Sequence, residues 1–264
     1  MPRTFNEILK HNPALSLIKP PRTKLLGRDN ETQLLIETFY KKRMNNAILL
    51  GKAGVGKTAI VENFAKLTKD KYYVCEYSIA LLVSKTKYRG EFEDKITKCF
   101  RDIAEHNSAD FEKKIIVFID EIHTIYKAGA SEGSALDAAN ILKPFLSKGE
   151  IMLIGATTID EYKAWLASDT ALIRRITPIY INELGEDVVL KILEKFGDGV
   201  IKKPLIKYIY SQSLNFKKFN NPDISIEILD RCMARSICQN IEITNQVVDD
   251  IVNDFTVIED IEKN

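Results

Sequence analysis

The chain has 264 residues, enough for one large domain or two smaller ones around a buried core. Its 38 Lys and Arg against 37 Asp and Glu leave a formal charge of +1, which argues against an electrostatic grip on bulk nucleic acid while leaving room for a local basic patch. Hydrophobic residues at 45% and charged residues at 28% are ordinary for a soluble globular protein; no apolar run approaches the ~18 residues needed to cross a bilayer, and Met1 to Lys10 lacks the apolar core of a secretion signal, so a cytoplasmic protein with no membrane partner is expected. The four cysteines, Cys75, Cys99, Cys232 and Cys238, form no CxxC pair and have only three histidines beside them. Reduced core or surface thiols are expected in place of a zinc site.

In chain order, residues 1–24 hold four of the eight prolines, Pro2, Pro13, Pro20 and Pro21, and read as an N-terminal extension, with a short helix around Thr4 to Lys10 in an otherwise extended lead-in. Gly27-Arg28-Asp29 then opens a helix with Asp29 as N-cap, and Leu34, Leu35, Thr38 and Phe39 form its apolar stripe. Short, nearly all-apolar strands follow at 47–50, 73–78, 115–119, 151–155 and 179–181, separated by helical patterns at 58–68, 90–106, 134–147 and 159–167. That alternation predicts a parallel sheet covered by helices on both faces. After Asn182 only helical patterns remain: Glu186 to Phe196, Pro204 to Ser213, Ser225 to Asn240 and Thr244 to Phe255. The predicted organisation is an α/β domain over 25–183 and a small all-α domain over 184–264.

One stretch organises the rest. Gly51, Lys52, Ala53, Gly54, Val55, Gly56, Lys57 and Thr58 follow an apolar strand and precede a helix that begins with Ala59. Strand, glycine loop, helix is the order a phosphate-binding loop requires. Glycines let successive N–H groups converge on one anion, and the helix start adds roughly +0.5 of charge at the same place. Lys57 is placed to reach the β- and γ-phosphates of a nucleotide, and the Thr58 hydroxyl to ligate Mg²⁺.

The strand over 115–119 ends in Asp120-Glu121. Acids at the carboxyl end of such a strand lie beside the phosphate loop, where open α/β sheets bind ligands. Asp120 suits the Mg²⁺ shell, and Glu121 suits the orientation and activation of an attacking water. The next strand ends Gly155-Ala156-Thr157-Thr158, which offers a polar side chain at the same edge.

Together these residues resemble the AAA+ ATPases, a P-loop NTPase family, and more narrowly the first ATPase module of the Clp unfoldases (ClpA and ClpB), from about Leu26 to Asp230. Lys87-Tyr88-Arg89-Gly90-Glu91-Phe92-Glu93 resembles the family's first pore loop. The segment 119–125 resembles its Walker B strand, 135–144 the helix after its second pore loop, 155–162 its sensor 1 segment, and Ala171-Leu172-Ile173-Arg174-Arg175 its arginine pair at the subunit boundary. The resemblance implies Thr158 as sensor 1, and Arg174 and Arg175 as fingers reaching a neighbour's nucleotide, a contact that can be worth ~10³–10⁵ in rate. It implies that the backbone of Leu25 and Leu26 cradles adenine, and that Ile192 and Leu193 close over the base. Lys87, Tyr88 and Arg89 become the gripping loop. Tyr88 would wedge against an extended polypeptide without reading its sequence, with a second channel loop around Lys127 to Gly133.

The implied activity is Mg·ATP hydrolysis in a homohexamer that threads unfolded or tagged protein through its pore, with an adaptor or companion chain as a further partner. The chain departs from the family pattern at several points. Lys52 stands where an acid is usual, Ile224 replaces a lysine in the segment Asn221 to Glu227, Lys66 to Tyr72 is short, and Pro178 opens the last strand. No stretch resembles the coiled-coil middle domain or the second ATPase ring, so docking to a peptidase is not expected. Two other readings stand beside the first: a nucleotide-controlled assembly or regulatory protein without unfolding activity, and a nucleic-acid-handling AAA+ protein, against which the near-neutral charge and the aromatic loop both count.

Overall fold

Runs such as Ala-Ile-Leu-Leu and Ile-Ile-Val-Phe-Ile lack the alternation of a half-exposed strand, and strands of this kind are stable only with both faces covered. The computed structural model describes residues 1–21, 23–42, 45–86, 89–127, 139–166, 173–199 and 201–261. It builds these runs into a six-stranded sheet. The strands are β1 (Leu15–Leu17), β2 (Ala47–Leu50), β3 (Tyr72–Tyr77), β4 (Lys114–Ile119), β5 (Met152–Thr157) and β6 (Thr177–Tyr180), in the order β1-β3-β4-β5-β2-β6. The pairings among β2 to β6 are parallel, and β1 joins β3 antiparallel, with Ser16 opposite Glu76. The chain divides into two compact units, Met1–Gly51 with Lys57–Tyr180, and Lys52–Gly56 with Ile181–Asn264.

In the first unit the helices are α1 (Phe5–His11), α2 (Asp29–Tyr40), α3 (Lys57–Leu67), α4 (Ile79–Ser84), α5 (Arg89–Ser108), α6 (Thr124–Lys127), α7 (Ala139–Lys148) and the turn α8 (Ile159–Glu161), which continues as a wider π-type turn over Tyr162–Leu166. Ile48, Cys75, Tyr77, Ile115, Val117 and Leu153 pack with Ile8, Ile96, Phe100, Ile103 and Leu146 in one core. Leu35, Phe39, Ile60 and Phe64 of α2 and α3 are also buried, and the rings of Phe39, Phe64 and Tyr72 lie 5.2–6.4 Å apart. The expected strands and crossover helices are present with ends shifted by a residue or two, while 134–138 of one predicted helix and Ala167 of another lie outside the described residues.

Three expectations are corrected. The expected short helix is present as α1, but as far as Leu17 the N-terminal segment is packed on the first unit and is no mere lead-in. Arg3 pairs with Asp102, Phe5 stacks on Tyr73 at 3.9 Å, Ile8 is fully buried, and β1 adds an edge strand to the sheet. Asp29 is the first residue of α2 and not its N-cap; that place falls to Arg28, whose side chain donates to Glu31 instead. The buried stripe of α2 is Thr32, Leu35, Thr38 and Phe39, with Leu34 on the solvent side. Pro178 lies within β6, an edge strand, where a missing N–H costs no ladder bond on the open side.

The second unit is helical from Glu186 onward: α9 (Glu186–Phe196), α10 (Lys203–Ser213), α11 (Asp223–Gln239) and α12 (Asn245–Ile261). Val189, Leu193, Ile206, Ile209, Ile228, Leu229, Val248 and Ile251 recur at helical spacing and form its core, closed by Phe216 against Phe219 and Phe255. Asn240 ends α11 in the left-handed conformation that asparagine tolerates. Ile224, which stands where the resembling family has a lysine, is buried in this core.

All four cysteines are free, and Cys75, Cys99 and Cys232 are buried. Burial pushes the Cys75 thiol up to about 12 and that of Cys232 up to about 11. No helix among the described residues is long and apolar enough to cross a membrane.

Asn46 stitches three segments at the entrance to the sheet. Its Oδ1 accepts from Leu153 N at 2.9 Å, its Nδ2 donates to Arg175 O at 3.4 Å, and its carbonyl accepts from Thr177 N at 2.8 Å. Asn46→Ala leaves the buried Leu153 N–H unpaired. The unfolding free energy should fall by about 1–3 kcal/mol, measured as a lower urea midpoint at unchanged slope.

Candidate active site

A parallel sheet presents the carboxyl ends of its strands on one edge. Gly51, Asp120 and Thr158 each directly follow a strand there, β2, β4 and β5 in turn. The edge is drawn together by backbone bonds: Gly51 N donates to Thr157 O at 3.2 Å, and Ile122 N to Ala156 O at 3.0 Å. The turn after β4 approaches β5 so closely that a Cβ on Gly155 would lie 2.9 Å from the Ile122 side chain.

At the start of α3, Lys57 is buried and donates from Nζ to Gly51 O at 2.9 Å. The next residue, Thr58, donates from its hydroxyl to Asp120 Oδ2 at 3.0 Å, and Asp120 Oδ1 accepts from Glu121 N at 2.9 Å. The structure thus brings together four of the residues singled out in the sequence: Lys57, Thr58, Asp120 and Glu121.

Glu121 adopts φ 48°, the left-handed region, which costs a non-glycine residue of order 1–3 kcal/mol and persists where the surroundings fix it. Its side chain is about half exposed. Partial burial pushes its carboxyl above the usual carboxylate range. The charges of Asp120 and Glu161 act in the same direction, and Lys57 and His123 pull against them.

Two residues that sequence reasoning missed complete this edge. His123 is buried between two carboxylates, with Nδ1 at 3.2 Å from Glu121 Oε2 and Nε2 at 2.8 Å from Glu161 Oε1. Its Nδ1 also meets the hydroxyl of the buried Thr157 at 3.0 Å, and that hydroxyl donates to Glu161 Oε2 at 3.1 Å. Thr158 caps α8: its Oγ1 accepts from Glu161 N and donates to Glu161 Oε2. Desolvation raises the Glu161 carboxyl, but hydrogen bonds from Thr158 and Thr157 and the charge of His123 outweigh it, leaving Glu161 below its ordinary value. The only sequence signal for His123 is its place two residues after Glu121.

The loop residues Lys52, Ala53, Gly54, Val55 and Gly56 are grouped with the second unit. There Asn220 Nδ2 donates to Ala53 O at 3.0 Å, Lys52 pairs with Glu183 at 3.3 Å, and Val55 is buried. Gly54 (φ 76°) and Gly56 (φ 95°) take the left-handed conformations that turn successive N–H groups to one side. A Cβ on Gly54 would stand 2.8 Å from the Cβ of Asp223.

The remaining predicted residues are placed separately. Ala59 follows Thr58 in α3, and Leu25 and Leu26 are half-buried before α2. Ile192 is half-buried on α9, whereas Leu193 faces the helical core. Arg174 is exposed just before β6, and Arg175 is half-buried with its carbonyl bonded to Asn46. Lys87 and Tyr88 lie outside the described residues, as do 128–133 of the expected second channel loop; Arg89 is the first residue of α5 and Lys127 the last of α6.

Residues 47–180, about half of the chain, match the profile of the ATPase family associated with various cellular activities (AAA). The chain belongs to that family, and within it to the Clp-type AAA+ ATPases. It is 44% identical over 226 residues to chaperone protein ClpB of Wolinella succinogenes, covering 80% of this chain and 26% of that protein. Against ClpB of Aquifex aeolicus it is 37% identical over 227 residues, covering 80% of this chain and 22% of that protein. Against the negative regulator of genetic competence ClpC/MecB of Bacillus subtilis the figures are 42% over 183 residues, 66% and 22%. The chain therefore spans about a quarter of each of these relatives.

Among solved structures it is similar to the Hsp104–ADP complex of S. cerevisiae, with TM-score 0.71 and 26% identity, over 88% of this chain and 42% of that one. It is also similar to closed Hsp104 with ATPγS and FITC casein, with TM-score 0.72 and 27% identity, over 89% and 43%. The fold is that of a P-loop AAA+ ATPase, a nucleotide-binding protein.

Gly54→Ala tests the loop. A side chain there is strained by φ and abuts Asp223, so affinity for a fluorescent ADP analogue should fall by at least about tenfold, the equivalent of 1–2 kcal/mol of left-handed strain. Direct titration of the folded variant measures it.

Proposed function

We propose that the chain is the Mg·ATP-dependent ATPase module of a Clp-like protein unfoldase or disaggregase, working as a homohexamer in the cytoplasm and threading unfolded polypeptide through the ring. The observation that carries this reading is the contact between the Thr58 hydroxyl and Asp120, with buried Lys57 on one side and Glu121 on the other. A hydroxyl and a carboxylate 3.0 Å apart are hard oxygen donors of the kind Mg²⁺ takes, with water and phosphate oxygens filling the rest of its shell. The ion would offset negative charge on the phosphates.

The chain's own groups supply the rest. Lys57 holds the β- and γ-phosphates, Glu121 orients the attacking water and takes its proton, and Thr158 contacts the γ-phosphate or that water. Arg174 and Arg175 reach the nucleotide of a neighbouring subunit and offset the charge that develops on the transferred group. Lys87, Tyr88 and Arg89 form the loop that grips polypeptide in the pore. The raised Glu121 carboxyl supports its role, since a base works best when its proton affinity approaches the working pH. The casein bound in the Hsp104 relative supports polypeptide as the substrate class. A nucleotide-controlled assembly protein is the second reading, favoured by the burial of Ile224 where the family carries a lysine.

Glu121→Gln should keep nucleotide affinity within about threefold and lower the steady-state ATPase rate by at least about 100-fold; an unchanged rate would overturn the assignment. Tyr88→Ala should keep ATPase activity and ATP-dependent assembly, and lose translocation of an unfolded fluorescent protein. Threading that persists in assembled rings of this variant removes Tyr88 from the gripping role, whereas a wild-type ATPase indifferent to unfolded protein favours the second reading.

A further inference from the structure

We propose that His123 is a positioning residue that fixes the Glu121 carboxylate by bridging it to Glu161 on the turn after β5. This rests on the reading of Glu121 as the water-activating residue, and it concerns how that side chain is aimed.

Three observations carry it. The imidazole is buried, with its side chain 6% exposed, and a polar ring in such a place must have its nitrogens satisfied. Each nitrogen faces an acid: Glu121 at 3.2 Å from Nδ1, Glu161 at 2.8 Å from Nε2. The Thr157 hydroxyl spends its hydrogen on Glu161, so towards Nδ1 it offers only a lone pair. The ring thus reaches both carboxylates, one through each nitrogen.

The same three side chains hold ligand atoms within 4.8 Å of one another, a spacing that a metal ion could use. The ring, however, turns a different nitrogen to each acid, and one ion takes only one imidazole nitrogen. The arrangement is that of a bridge.

The far end of the bridge is well anchored. Glu161 is held by the hydroxyls of Thr157 and Thr158, and the turn bearing Glu121 and His123 is bonded to β5 through Ile122 N and Ala156 O. Glu121 itself sits on a left-handed backbone with a half-exposed carboxylate, which without a tether would sample many rotamers. The charged groups facing the bridge are Glu121 and Glu161, with Lys57 and Asp120 acting on Glu121 from α3 and the end of β4. His123 thereby links the aim of Glu121 to the segment that carries Thr158.

The test uses the full chain. His123→Gln should leave affinity for a fluorescent ADP analogue unchanged and lower kcat by about 10–100-fold, the scale of a misaimed catalytic group. Glu161→Gln, which removes the far end of the bridge and keeps the ring, should show the same loss of kcat more weakly.

A second measurement is independent of turnover. Only three histidines occur, so the ring resonances of His11, His106 and His123 can be followed by NMR. The ring nitrogen resonances of His123 should shift in Glu161→Gln and in Glu121→Gln, while those of His11 and His106 stay in place. His123 resonances unmoved by either change, or a His123→Gln enzyme with wild-type kcat, overturn the proposal. A wild-type chain without ATPase activity strikes the water-activation reading instead, and the resonances then decide the bridge.

Discussion

Asp120 is held at both oxygens. One accepts the Thr58 hydroxyl from the first turn of α3, the other the N–H of Glu121 from its own turn. That carboxylate joins the helix after the phosphate loop to the acid turn after β4, and nearly everything else at the strand edge follows from it. The Glu121 N–H bond helps hold Glu121 in its left-handed conformation, and the same turn sends Ile122 down onto the close approach at Gly155 and His123 inward to Thr157.

The electrostatics of this edge are a balance of opposed charges in partial burial. Lys57, buried and bonded to Gly51, supplies positive charge; Asp120, Glu121 and Glu161 supply negative charge beside it. Desolvation lifts Glu121, while hydrogen bonding depresses Glu161. Two glutamates on one histidine are thus driven in opposite directions by their surroundings, one toward proton uptake and one toward a fixed charge.

The parts legible in the sequence are those with local signals. Five parallel strands were readable because each is a short apolar run between turn residues. The glycine loop between β2 and α3 was readable because strand, glycines, Lys57 and Thr58 are contiguous, and the place of Asp120 with Glu121 because they end a strand. What escaped depends on contacts remote in the chain. β1 is three residues with one buried, and only its antiparallel partner makes it a strand. Thr32 replaced Leu34 in the buried stripe of α2 because packing, not polarity, chose the face. His123 and Glu161 are 38 positions apart and meet only because β4 and β5 are neighbours in the sheet. Asn220 and Asp223 lie far along the chain from the glycine loop they touch, and no spacing rule connects them.

The thiols carry a practical consequence. Three of the four are sealed inside packed layers, and for Cys75 and Cys232 burial holds the proton on sulfur to about 12 and about 11. Cys238, near the end of α11, is the one that solvent reaches. A maleimide fluorophore or nitroxide mixed with the native chain at neutral pH would attach at that single position, providing a spectroscopic reporter on the helical unit with no engineering at all.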